Sequence, residues 1–71
     1  MDIFEVGRLT NYRFQCIQHL DSLTNYYQSS TIEYKISQAG KLDFQKIQAL
    51  QDLIKNLDKL LILTTLIANQ N

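Results

Sequence analysis

The last third of the chain, Asp43 to Ala68, is a helical pattern that is apolar on more than one side. Ile47, Leu50, Ile54, Leu57 and Leu61 recur at steps of three and four. In a helix of about 3.6 residues per turn that spacing places them on one side. Leu53, Leu60 and Ile67 widen the stripe, and Ile62, Leu63 and Leu66 carry it round to the opposite side. A helix that is apolar all round is one that other elements enclose. A short chain cannot supply all of that cover, so the pattern predicts a helix that binds another molecule.

The size of the chain sharpens the point. Its 71 residues form one domain, residues 1–71. Below roughly 70–80 residues a lone core rarely supplies more than about 3–5 kcal/mol without a staple. The single cysteine cannot close an internal disulfide, and no Cys and His cluster suggests a structural metal. Association is the staple that remains. No cofactor is expected.

Seven basic and seven acidic residues leave no net charge, which argues against nucleic acid as the partner. The opening Met1-Asp2-Ile3-Phe4-Glu5 is acidic and lacks the basic start of a secretory signal. The densest apolar run, Leu60 to Leu63, is interrupted by Thr64 and Thr65, well short of the roughly 18 apolar residues that span a bilayer. A lone cysteine fits a reducing cytosol, so a cytoplasmic protein with no membrane segment is expected. Proline is absent and glycine occurs twice, as in an all-α chain.

Asp2 and Glu5 form a capping box at the start of a first helix, and Met1 with Val6 forms a hydrophobic staple. Gly7 weakens that first turn by up to about 1 kcal/mol. Leu9, Tyr12, Cys16, Leu20, Leu23 and Tyr27 continue the apolar spacing, broadened by Ile17. Ser29-Ser30-Thr31 is a poor helix interior, and Ser30 with Glu33 offers a second capping box. From Thr31 to Ser37 apolar and polar residues alternate, which read alone is a strand. No partner strand exists in the chain. The expectation is therefore a helix over about 2–38, broken near Ser30, with an edge strand formed across a dimer as the alternative. A break there also allows a three-helix bundle in which the first helix folds back over the second.

The expected turn is 39–42. Gly40 suits the left-handed position past a helix end, Asp43 the next N-cap, and Leu42 with Ile47 a second staple. A second helix over about 43–68 then returns antiparallel, making a helical hairpin whose facing residue numbers add to about 81. Ile47 would face Tyr34, Ile54 Tyr27, and Leu61 Leu20. Asn69-Gln70-Asn71 is expected to be a disordered tail.

Candidate chemistry is sparse. Cys16 and His19 share a helical face, but catalysis would need an orienting group and an oxyanion site, and zinc would need more ligands. They read as a buried structural Cys beside a half-exposed His. Asp52 and Asp58 alternate with Lys55 and Lys59 on a face expected to be solvated, tied by i,i+3 pairs. Tyr12, Tyr26, Tyr27 and Tyr34 lack the basic surround of a base-stacking surface and read as core or interface. A non-catalytic protein is expected.

The segment Gly40-Lys41-Leu42-Asp43-Phe44-Gln45, followed by Leu50, Leu57 and the C-terminal apolar run, resembles the YscE-like small co-chaperones of type III secretion systems. That resemblance implies a helical hairpin that docks on a helical-repeat chaperone. Together the two would hold a needle subunit monomeric in the bacterial cytosol. The implied partner-binding residues are Leu60, Ile62, Leu63, Leu66 and Ile67, with Tyr12 and Phe14 of the first helix. The Tyr-rich, weakly charged first helix departs from the family pattern. The alternative is a self-associating hairpin with a homodimer as its partner, serving a structural or regulatory role such as that of a phage-encoded inhibitor.

Overall fold

A computed structural model describes residues 3–70. The chain is all-α, and three helices follow in order: α1 (Ile3–Ser29), α2 (Ile32–Ile36) and α3 (Gln38–Ala68). The two long helices pack together as a helical hairpin. The molecule is a rod of 55 × 14 × 12 Å with a radius of gyration of 16.1 Å, against about 11 Å for a compact chain of this length.

Hydroxyl residues build the turn. Ser29 Oγ donates to the Asn25 carbonyl at 2.9 Å and Ser30 Oγ to that of Tyr27 at 2.5 Å. These hydroxyls add side-chain donors to the carbonyls of the last turn of α1, where Tyr27 also accepts from the Ser30 N–H at 3.2 Å. Thr31 is extended and caps α2, its side chain accepting from the Tyr34 N–H at 3.1 Å. Ser37, also extended, ends α2 and starts α3, and its Oγ accepts from the Gly40 N–H at 3.1 Å.

Several expectations are corrected here. The break near Ser30 is present, but the alternating stretch after it is one short helix rather than a continuation of α1 or a strand. Its cap is Thr31, not Ser30. The turn does not fall at 39–42, because Gly40 lies inside α3 at negative φ. Ser37, not Asp43, is the N-cap of α3, so Leu42 is not a staple residue. Gly40 is required by space instead: a Cβ there would stand 1.9 Å from the Tyr34 carbonyl oxygen. It is the point where α2 lies against α3. Asn69 caps α3, its N–H reaching the Thr65 carbonyl, and Gln70 N–H bonds to that of Ile67, so the tail continues the helix end. The capping box and staple that involve Met1 and Asp2 lie outside the described residues, as does Asn71.

A three-helix bundle does not form. With five residues, α2 sits at the turn end and leaves the C-terminal half of α3 with α1 alone beside it.

The register is also displaced. Arg13 Nε donates to Asp58 Oδ1, and the rings of Tyr27 and Phe44 lie 5.9 Å apart. Each contact joins an inward residue of α1 to the position one turn before an inward residue of α3. In both contacts the residue numbers add to 71, against the expected sum of about 81. The expected pairs, Ile47 with Tyr34 and Leu61 with Leu20, are therefore displaced by about ten residues, because the turn lies earlier in the chain.

Candidate partner-binding surface

Two heptad seams face each other. On α1 the seam runs Val6, Leu9, Arg13, Cys16, Leu20, Leu23 and Tyr27, with Ser30 continuing it just past the helix end, and on α3 it runs Gly40, Asp43, Ile47, Leu50, Ile54, Leu57, Leu61, Thr64 and Ala68. Every one of these residues is buried or half-buried. The steps alternate between three and four, the spacing that keeps a seam against a neighbouring helix. Among the described residues, only Cys16, Ile47 and Leu57 are fully buried apolar residues, so this core is one side chain deep.

One seam position carries a charge that the apolar pattern conceals. The spacing puts Tyr12 in the stripe, yet it is exposed and Arg13 takes the inward place. The Arg13 guanidinium is met by Asp58, whose side chain stays 46% exposed to water while reaching across to α1. The arginine would have been found by counting four from Leu9 and three back from Cys16, the heptad steps that skip Tyr12.

At the turn the Tyr34 hydroxyl donates to Asp43 Oδ2, and its ring meets Tyr26 edge-on at 5.8 Å. The hydrogen bond to the Asp43 carboxylate, aided by partial burial and by the negative charge beside it, pushes the phenol up to about 12. Lys35 Nζ lies 5.6 Å over the Tyr27 ring and donates to the Gln28 carbonyl at 3.3 Å. These contacts fasten α2 down and make a structural joint, and an open hollow of about 500 Å³ lies on the first turns of α3 among Gln38, Ala39, Lys41, Leu42 and Gln45.

Cys16 is buried and free, whereas His19 is exposed on the flank of α1. The two are separated by surroundings as well as by sequence. Among the described residues, no group of three or more His, Cys, Asp or Glu side chains could hold a metal ion. No helix of the described residues is long and apolar enough to cross a membrane.

The seven candidate partner-binding residues are all at the surface. Leu60, Ile62, Leu63, Leu66, Ile67, Tyr12 and Phe14 are between 41% and 61% exposed. They do not form one patch. Helical phase places Leu60, Leu63 and Ile67 on the flank of α3 that adjoins Tyr12 of α1. Phe14 and Ile62 lie on the other flank, the one on which Arg13 reaches Asp58 and Tyr27 reaches Phe44, and Leu66 points away from α1. On that second side Leu61, Ile62, Thr65 and Leu66 line a shallow apolar hollow of about 300 Å³. A further exposed pair, Ile32 and Ile36, occupies the outer side of α2; the apolar alternation of that stretch signals it, though as a strand. No family model, curated protein or solved structure matches this chain.

Proposed function

We propose that this chain is a non-catalytic protein-binding hairpin that docks on a helical-repeat chaperone in the bacterial cytoplasm. In that role it acts as a co-chaperone that keeps a type III secretion needle subunit soluble before export. One observation carries the binding part of the reading. The hairpin buries three apolar side chains fully, while five consecutive-turn residues of its C-terminal half, Leu60 to Ile67, remain 41–61% exposed. Apolar residues left exposed on both flanks of one end of a rod support the reading that another protein covers that end. The hollow beside Ile62 and Leu66 suits an apolar side chain projecting from a partner helix, the usual way helices meet helical-repeat surfaces. The secretion role rests on the resemblance of the Gly40–Gln45 segment, Leu50, Leu57 and the C-terminal apolar run to the YscE-like pattern.

Affinity purification of the tagged chain from its own cells tests the proposal. A helical-repeat protein, with the needle subunit bound to it, is the expected companion. Ile62→Asp and Leu66→Asp should each remove that companion and leave the helical circular dichroism of the chain in place. Retention of the companion by both variants, or recovery of the chain with no helical-repeat protein, rejects the reading.

A further inference from the structure

We propose that the flank bearing Leu60, Leu63 and Ile67 is where two copies of this chain pair, α3 against α3 in antiparallel, centred on Asn56. The pairing makes a four-helix bundle and does not depend on the chaperone reading.

The first ground is a second heptad on α3. Beginning at Leu42 and advancing by alternate steps of four and three, it passes Lys46, Ala49, Leu53, Asn56, Leu60, Leu63 and Ile67. It lies beside the seam that faces α1 and is exposed along its length except at half-buried Leu53. One heptad suffices for a helix with a single neighbour, and a second describes a helix with two. Six of the eight positions are apolar, and the two polar ones are informative.

Asn56 stands at the middle. Its side-chain amide both donates and accepts, so two copies of Asn56 facing each other satisfy one another. A lone Asn in an apolar seam of this kind fixes register and the number of strands. Antiparallel pairing about Asn56 sets Leu53 against Leu60 of the second copy and the small Ala49 against the large Leu63. Lys46 then falls at the end of the interface, where its stem can lie along Ile67 with the ammonium in water. It also comes beside the Glu5 end of α1 in the second copy. Parallel pairing would instead bring the two Lys46 ammoniums face to face, which is unfavourable.

The second ground is area. A folded monomer of 8.3 kDa is expected to expose about 4,600 Å². This chain exposes 5535 Å². The excess, about 950 Å², is close to the roughly 800 Å² that one partner contributes to a standard interface. The flank carries no block of one charge, so it has no electrostatic preference for a strongly acidic or basic partner.

Sedimentation equilibrium of the full chain at micromolar concentration should give twice the 8.3 kDa chain mass. In a Cys16→Ala background, Asn56→Cys should be trapped by oxidation as a covalent dimer, and Leu66→Cys should not. Leu63→Asp should yield a monomer that keeps its helical signal. If that variant unfolds, the cross-linking result decides. A monomeric mass for the unaltered chain overturns the proposal. A dimer that cross-links through position 66 as readily as through position 56 overturns it too. Neither failure touches the chaperone reading, whose variants lie on Ile62 and Leu66.

Discussion

Replacing each glycine by alanine should move stability in opposite directions, although both lie inside helices. Helix propensity favours alanine over glycine by about 1 kcal/mol at an exposed interior site. Gly7 is exposed and a Cβ there meets nothing within 4 Å, so Gly7→Ala should gain most of that amount. At Gly40 the added Cβ stands 1.9 Å from the Tyr34 carbonyl oxygen, 2.8 Å from its carbon and 2.9 Å from the Lys35 Cα. All three are backbone atoms, which cannot swing aside as a side chain can. Ordinary contact requires α2 to retreat by about 1.5 Å. That displacement breaks the Tyr34–Asp43 hydrogen bond. It also disturbs the Ser37 cap on the Gly40 N–H, worth about 1 kcal/mol. The cap loss offsets the propensity gain of about 1 kcal/mol, so the net expectation for Gly40→Ala is the overpacking cost, a loss of about 1–3 kcal/mol. Urea unfolding followed by circular dichroism, at one fixed protein concentration, reads both variants. The midpoint should rise for Gly7→Ala and fall for Gly40→Ala. A Gly40→Ala protein as stable as the parent would show that α2 does not lie against α3 at this point.

Single positions give three further outcomes. In an alkaline titration monitored by tyrosinate absorbance, one of the four tyrosines should ionise late, near pH 12, and Tyr34→Phe should abolish that step. The neutral phenol is the form the fold holds, so its contribution is complete below pH of about 10 and is lost as pH rises towards 12; four tyrosines titrating together near 10 would refute the Asp43 bond. Thr64 is 1% exposed and its hydroxyl has no hydrogen-bond partner, so Thr64→Val should raise the urea midpoint by about 1 kcal/mol of stability, and a lower midpoint would contradict the unsatisfied hydroxyl. Leu57→Asp puts a carboxylate at a site only 6% exposed and should abolish the helical signal, since the loss of about 2–5 kcal/mol from truncation alone matches the whole stability of so small a chain.

The inward face of α3 is legible in the sequence because its apolar residues repeat without interruption from Ile47 to Leu61. The register is not, and heptad periodicity is the reason. Sliding one helix past the other by one repeat again sets apolar against apolar, so agreement of the two patterns cannot choose between them. Only the turn can, and Gly40 points to the wrong place for it. Gly40 looks like a helix terminator in sequence, yet a glycine inside a helix is also what a second chain segment needs to approach closely. Ser37 is the better signal, as an extended cap between two helices. Arg13 escapes for a related reason: Tyr12 and Arg13 both satisfy a three-or-four step from Leu9, and the eye takes the apolar one. The exposed residues of the C-terminal half are legible as surface because their spread around the helix exceeds what one neighbour can cover. The phase that divides them into two flanks needs the true seam first.

The division matters for the energetics of the whole chain. Two antiparallel helices touch along a single line, so each can hide only the stripe that faces the other. Opposite the C-terminal half of α3, the first turns of α1 offer Gly7, Arg8 and Asn11 around the seam, which cannot wrap the apolar sides of Ile62 or Leu63. Covering what remains exposed on Leu60, Ile62, Leu63, Leu66 and Ile67 is worth about 1 kcal/mol per side chain, or about 5 kcal/mol together. That equals the stability expected of the isolated hairpin, about 3–5 kcal/mol. Folding and association in this chain therefore draw on the same free energy. A molecule that binds the folded hairpin and not the unfolded chain must raise its melting temperature, and self-pairing must make that temperature depend on protein concentration. A melting temperature constant over a hundred-fold dilution, roughly the range over which mass action shifts stability by about 3 kcal/mol, would mean that no second copy covers the flank at Asn56.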